Sequence, residues 1–513
     1  MGSNRDHENS RIPCCSIPQD LKVTLGKLSN VVPIEETEVK SMFLSNIDQL
    51  LNFNVETIHF FEANPDFPFD IVVEKLKIAF RKMLVHYDFL AGRLRWVVHQ
   101  DQDQGQGQGQ GRPRLEIYCN SAGAGFAVAS SDLSLAELGD LMYPNPAFQQ
   151  LVVKNSSSTG ITPEDLDQQL LCALQVTSFK CGGFALGIFT NHIAFDGITF
   201  KMFLENLASL AANKPMVTIP YNNRQILAAR YPPRVTFSHP ELINIDEITP
   251  SIREEGQEEE QYSSTSSSIK NVFEFTLENL DFKIFRLSVE DISNLKKKAA
   301  EPNNNNNNNN NNGTKTITSF NVVTTHIWRC KALVGMLTKD DDDDILLLEK
   351  QKKKKTNSTI LYAVDLRPRL VPPLPVTFTG NAILNAYATA SLVKLEEGPF
   401  SHLVQMVSQG ATRLTDEYAR SVIDWGEIHY KGYPNGDVLV SSWWKLGFSE
   451  VDYPWGRPKY SCPIVYHRKD IILLFPDNYD IEGVNDGKGV NVLVALPTKE
   501  MEEFQKLFYK FLL

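Results

Sequence analysis

The hexapeptide His192-Ile193-Ala194-Phe195-Asp196-Gly197 follows a run of small and apolar residues, Cys181-Gly182-Gly183-Phe184-Ala185-Leu186-Gly187-Ile188-Phe189-Thr190. That composition predicts a buried strand. Beyond it, Phe200, Phe203, Leu204, Leu207 and Leu210 recur at helical spacing, so Gly197 to Ala212 is predicted to be a helix. A strand that ends in a histidine, before a glycine-terminated turn into a helix, can present the imidazole to a cleft. Histidine is the side chain whose ordinary pKa lets it take a proton near neutrality. A lone histidine at a strand end is nevertheless more often a packed residue than a base, and an HxxxD spacing alone is common. The case for chemistry therefore depends on the rest of the chain.

Toward the N-terminus, residues 21–31 and 57–62 read as short strands. Asp70 to Tyr87 reads as a helix, with Val72, Val73, Leu76, Ala79, Phe80 and Leu84 on one stripe. Phe89 to Trp96 turns into a strand and Leu115 to Tyr118 returns. The Gly-Gln alternation from Gly105 to Gly111 between them reads as a lengthened hairpin loop. A helical segment is expected within Ser131 to Tyr143, and a strand pair around 168–190 leads to His192. After the helix, Pro215 to Pro240 is too rich in proline to run through a helix or a central strand, and is expected to cross between domains. Val289 to Ala300 looks helical, and Ile317 to Met336 passes from strand to helix. Many short strands separated by isolated helices predict an α/β chain of mixed sheets with flanking helices.

At 513 residues the chain exceeds one growing core and fits two similarly sized domains. The expected boundaries are 1–214, carrying HxxxD, then a crossover at 215–240, then 241–513. A late segment near 435–460 is left free to pack with the first domain. A net charge of −11 argues against a surface for polyanions, so no nucleic-acid partner is expected. Seven scattered cysteines without a CxxC pair predict a reduced compartment and no structural metal. No apolar run reaches spanning length and the first residues lack a signal sequence, so a cytoplasmic monomer without membrane insertion is expected. Three tracts, Glu254–Ser268, Asn303–Asn312 and Asp340–Asp344 with Lys352–Lys355, have no hydrophobic face to offset their ordering entropy. Deleting Asn303–Asn312 is expected to change kcat/KM by no more than about threefold and to move the melting temperature by a few degrees at most. A large rise in KM for a substrate would contradict this. No GxGxxG opens a βαβ unit, and neither GxxxxGK[ST] nor GxSxG is present, which counts against dinucleotide, P-loop and α/β-hydrolase chemistry.

Two distant regions add to the histidine. Leu439-Val440-Ser441-Ser442-Trp443-Trp444 reads as a strand and is followed by Asp452-Tyr453-Pro454-Trp455-Gly456-Arg457-Pro458. Val364-Asp365-Leu366-Arg367-Pro368-Arg369-Leu370 leads through three prolines to Phe378-Thr379-Gly380-Asn381. Each alone reads as a proline-stiffened turn with a surface ion pair. In this order, with Phe43-Leu44-Ser45-Asn46-Ile47-Asp48 early on, they resemble the plant acyl-CoA-dependent acyltransferase family usually called BAHD, over nearly the whole chain. His192 and Asp196 match its HxxxD motif and Gly197 its usual following glycine. Asp452 to Gly456 match DFGWG, with Tyr453 for Phe and Pro454 for Gly. Ser442 to Phe448 and Phe320 to Lys331 carry a narrower likeness to the omega-hydroxypalmitate O-feruloyl transferase-like branch, and most of all to a plant acyltransferase linked to fertilisation and early seed development, which implies a role in plant reproduction.

The resemblance implies two chloramphenicol-acetyltransferase-like domains with the active site in a tunnel between them. It implies acyl-CoA as co-substrate, no permanently bound cofactor, and a small-molecule alcohol as acceptor: an ω-hydroxy fatty acid, a fatty alcohol or a specialised metabolite receiving a hydroxycinnamoyl, fatty or acetyl group. A thioester is already activated, so such a site needs neither a metal nor a covalent nucleophile. It must take a proton from the acceptor and stabilise an oxyanion. His192 is then the base, and Ser441 and Trp443 the oxyanion donors by likeness to the family's site-lining strand. Asp196 is implied to brace the site through a salt bridge with Arg367 or Arg369, and Asp452, Trp455 and Gly456 to shape a loop. CoA-contacting residues stay unassigned. A triad in which Asp196 orients His192 is disfavoured, because a residue four positions on around a tight turn points elsewhere. His326 reads as core or pocket lining. An N-acyltransferase would use the same histidine beside an acidic pocket, while a non-catalytic homologue need not keep His192, Asp196, Asp452 and Trp455.

Overall fold

The computed structural model describes residues 18–99, 112–153, 168–244, 276, 278–301, 317–334, 356–429, 432–464, 468–477 and 489–512. The Gly-Gln alternation and the three polar tracts lie outside them, as do the last two residues of Ile317–Met336. Two mixed sheets dominate. The first sets Val23–Leu25, Ala124–Ser131, Cys172–Ser178, Phe184–Asn191, Asn54–Phe61 and Tyr460–Pro463 side by side, with Ser29–Val31 also on Ala124–Ser131. The second sets Asp281–Leu287, Val490–Leu496, Ile471–Pro476, Val438–Ser442, Asn357–Asp365 and Ile383–Ser391 side by side. One pair of the first sheet is parallel, as are both pairs made by Val438–Ser442 in the second. The sheets are mixed, as the sequence predicts.

Phe184–Asn191 lies inside the first sheet, buried along its whole length, which explains its lack of polar alternation. Helices Phe69–His86 and Gly197–Ala211 press their apolar stripes onto this sheet. Helices Ser319–Leu333, Phe400–Arg413 and Thr498–Leu512 cover the second sheet and enclose its core. His326 lies in that core, fully buried and edge-on to Phe508.

Two chain crossings join the halves. In the proline-rich segment, Thr218 is still tied to Asn206 of the first half, while the Arg230 side chain and the Arg234 backbone reach Asp424 of helix Asp416–Ile428. Later the chain leaves the second sheet at Ser442. Phe448, Val451, Tyr453 and Trp455 then enter the core of the first half, and Tyr460–Pro463 pairs antiparallel with Asn54–Phe61 before the chain returns in Ile471–Pro476. The end of Val438–Ser442 is thereby carried toward the end of the histidine strand.

Two local expectations need correction, and a third, the helical segment within Ser131–Tyr143, is met by one short turn. Residues 21–31 form two short strands, because the chain leaves the ladder between Leu25 and Ser29. Within Ser131–Tyr143 only a single turn, Leu135–Leu138, is helical: a Ser134–Glu137 capping box starts it and Gly139 stops it. Ile317 and Thr318, the described residues just before helix Ser319–Leu333, are not in a strand. Thr318 caps the helix by accepting from the Asn321 backbone N–H.

Candidate active site

Phe184–Asn191 ends one residue before His192, whose backbone N–H donates to Phe53 O at 2.8 Å. Asn191 Oδ1 accepts from Ile193 N at 2.9 Å and its carbonyl accepts from Ala194 N at 3.0 Å, which turns the chain sharply out of the sheet. Asp196 then caps helix Gly197–Ala211, its Oδ1 accepting from Thr199 N at 3.0 Å. At Gly197 an added Cβ would stand 2.6 Å from Leu446 Cδ1, so a side chain here would collide with the late loop.

Asp196 does not reach for the histidine. Oδ1 also accepts from Arg367 Nη2 at 3.0 Å, and Oδ2 accepts from Arg367 Nη1 at 2.9 Å and from Ala382 N at 3.0 Å. Burial pushes this carboxyl up, but the Arg367 charge and these hydrogen bonds outweigh it and hold the group below the usual carboxylate range. The sequence left Arg367 and Arg369 open as the partner. Arg369 is not the partner: its Nη1 donates to Ala411 O and Leu414 O at the end of helix Phe400–Arg413.

A clasp that the sequence reading missed lies under the turn. Asn381 Nδ2 donates to His192 O at 2.9 Å, to Ile193 O at 3.3 Å and to Asp48 Oδ1 at 2.8 Å. Arg224 donates to Ile193 O and Ala194 O and pairs with Asp48 at 3.2 Å, both side chains being 1% exposed. Three successive carbonyls of the turn are thus held by fixed donors. Asp48 and Asn381 stand in the segments quoted for the family likeness, yet only their contacts distinguish them from neighbouring polar residues.

The His192 ring packs 5.1 Å from Phe53, centroid to centroid. Burial pulls the imidazole below its ordinary pKa, against upward pulls from its own carbonyl, Asp196, Asn381 and Asp48. Nδ1 is buried and completes no hydrogen bond of normal geometry, and Asn381 Oδ1 is in the same condition. His192 lines a cavity of ≈ 190 Å³ between the two sheets, and so do Ser441 and Trp443. The cavity wall is mainly apolar, including Val55, Phe200, Leu439 and Leu473. Ser441 ends Val438–Ser442 next to Trp443, whose backbone N–H donates to Leu474 O at 2.6 Å. Neither Ser441 Oγ nor the Trp443 indole N–H donates to any described residue.

Asp452, Trp455 and Gly456 stand apart from the cavity. Asp452 is exposed and pairs with Arg457 at 2.6 Å, a surface contact of small energetic weight. Trp455 is buried edge-on to Phe61 and Phe184 and stacked on Tyr453. Gly456 has φ +116°, which closes the Tyr453–Gly456 turn in a region that disfavours other residues. The segment after Ser442 therefore matters by carrying Trp443 to the cavity while its far end locks into the first core. Among the described residues no group of His, Cys, Asp and Glu is placed to hold a metal ion, and no helix is long and apolar enough to cross a membrane.

A family model described as the Transferase family matches residues 21–511. The chain belongs to the BAHD acyltransferases. It is 52% identical over 491 residues to the acyltransferase GLAUCE of Arabidopsis thaliana, covering 96% of each chain. It is 29% identical to the omega-hydroxypalmitate O-feruloyl transferase of the same plant, over 99% of this chain and 97% of that one. The crystal structure of vinorine synthase superposes with a TM-score of 0.64 at 20% identity, over 94% and 96% of the two chains, a likeness of fold. Like other BAHD enzymes, this one is an acyl-CoA-dependent transferase.

Proposed function

We propose that this chain is an O-acyltransferase that moves a hydroxycinnamoyl, fatty or acetyl group from CoA to an alcohol, with His192 as general base. The observation that carries this reading is the shared cavity. A histidine from one sheet, and a serine and a tryptophan from the end of a strand in the other, line the same space. The half-domains 1–214 and 241–513, joined by 215–240, then act together, because neither holds all three groups. In the proposed reaction His192 takes the proton of the acceptor hydroxyl as its oxygen attacks the thioester carbon. Ser441 Oγ and the Trp443 N–H donate to the oxyanion, the C–S bond breaks, and the proton passes to the departing thiolate. Asp196 has no lone pair left for this chemistry and serves as a brace.

The mainly apolar wall favours an alcohol over an amine. Two acidic side chains line it: Asp196 is taken up by Arg367, and Glu241 accepts from Tyr418 and contacts His239 through Oε1, while its Oε2 is buried without a hydrogen-bond partner. Acceptors in range include a fatty alcohol or an ω-hydroxy acid, in keeping with the 29%-identical omega-hydroxypalmitate enzyme. A cytoplasmic monomer belongs to the same proposal, supported by the scattered cysteines, of which Cys119, Cys172, Cys181, Cys330 and Cys462 are free.

The test is direct. Purified protein is given hydroxycinnamoyl-, fatty acyl- and acetyl-CoA with a panel of alcohols, and CoA thiol and ester are measured. Absence of thiol release over the whole panel would sink the reading. A bulky replacement at Ser441, such as Ser441→Phe, is expected to slow transfer mainly through kcat, by roughly 10²–10³-fold if the hydroxyl serves the oxyanion. An effect confined to KM would assign Ser441 to substrate packing alone.

A further inference from the structure

A second cavity, of ≈ 430 Å³, shares Ile47, Leu50, Leu242, Leu384 and Val422 with the cavity at His192. Those five side chains line both spaces, and Leu50 and Leu242 are only half-buried, Leu242 packing at the edge of the second half's core. Trp96, 48% exposed, lies on the lining of the second cavity. The polar side chains there already have protein partners. Gln49 bonds both backbone groups of Leu115, and Asn46 donates to Ile423 O and Glu427. Arg114 is taken up by Glu427 at 2.6 Å and by Asn46. What remains for a ligand is hydrocarbon and aromatic surface. A phosphate-bearing CoA would find its one lining guanidinium occupied, whereas an alkyl chain would disturb none of these contacts.

We propose that this second cavity is a binding site for the uncharged aliphatic tail of the acceptor whose hydroxyl stands at His192. The proposal rests on the acyl-transfer reading and narrows its substrate class to long-chain alcohols. With one acyl donor held constant, kcat/KM for primary alcohols from ethanol upward is expected to rise roughly two- to fourfold per methylene until the space is filled. Leu242→Trp and, separately, Leu50→Trp should plug the passage. Each is expected to lower kcat/KM for 1-dodecanol by about 30-fold or more and by at least about tenfold more than for ethanol, with melting curves showing that the variants fold. Calorimetric binding of 1-dodecanol reads the same site without turnover. Dodecanol bound by the wild type and not by either variant, with no CoA released from any donor, would keep the subsite and remove the acyl-transfer reading. A flat profile with acceptor length, a length dependence that follows the acyl donor instead, or an equal loss for both alcohols in the plugged variants would overturn the proposal.

Discussion

Replacing His192 by alanine is expected to lower turnover by about 10²–10⁴-fold, the usual weight of one positioned general base, while acyl-CoA affinity stays within a few-fold. The backbone of the turn should survive the change. Its three carbonyls are held by Asn381 and Arg224, and its N–H groups by Phe53 O and Asn191, none of which involves the imidazole. The pH profile offers a second readout. Burial holds the imidazole below its ordinary value of 6.5, so the neutral, proton-accepting form is already filled at neutrality. The rate should hold as pH falls to 6.5 and decline only as pH drops through the lowered pKa. The same shift means that folding draws stability from the neutral ring above 6.5 and loses it on acidification. The His192→Ala variant should lack that acid limb. Initial rates of thiol release for both proteins across pH measure this, and turnover above a tenth of wild type would remove His192 from the role.

What could be read in advance and what could not divides by range. The strand, the histidine, the capping aspartate and the following helix lie within a few tens of residues, and each leaves a local mark. An uninterrupted apolar run marks a strand buried inside a sheet, and the spacing of Phe200, Phe203, Leu204 and Leu207 marks a helix on its face. Asp48, Arg224 and Asn381 leave no such mark. Asn381 lies 333 positions from Asp48 and 189 from His192, and no periodicity links polar residues that meet only in three dimensions. Arg367 and Arg369 were indistinguishable for a related reason. Both follow Asn357–Asp365, and one guanidinium reaches Asp196 and the other a helix end from a turn closed by the Arg369 and Leu370 N–H groups on Leu366 O, a turn the sequence does not mark. The late segment shows a further limit. Apolar residues at Val438–Ser442 and at 448–464 predict burial equally well, yet the first joins the second sheet and the other packs on the first. Composition signals that a residue is inside, not inside what.

Asp196→Ala is expected to fail in another way, by loss of folded protein. Its carboxylate is 1% exposed and Arg367 is 8% exposed, so truncation leaves the buried guanidinium with the partly exposed Asp365, 3.0 Å from Nη1, as its remaining ion partner. Breaking such a buried pair from one side costs about 3–5 kcal/mol, and the lost cap on helix Gly197–Ala211 adds about 1 kcal/mol. Against a total stability of about 5–15 kcal/mol, that is enough to unfold a large share of molecules. Removing both partners separates the causes. Asp196→Ala with Arg367→Ala no longer buries a guanidinium held by Asp365 alone, so the double variant should be more stable than Asp196→Ala, and a double-mutant cycle on chemical denaturation gives the coupling. The acid side supplies an independent check. Asp196 is held below its ordinary value of 3.8, so its contribution is complete above that pH and is lost as pH falls through the lowered value. Wild type should therefore lose stability on strong acidification more steeply than the double variant. If Asp196→Ala instead melts like wild type and is merely inactive, the bond to Arg367 is not what holds the turn, and Asp196 belongs with His192 in the chemistry.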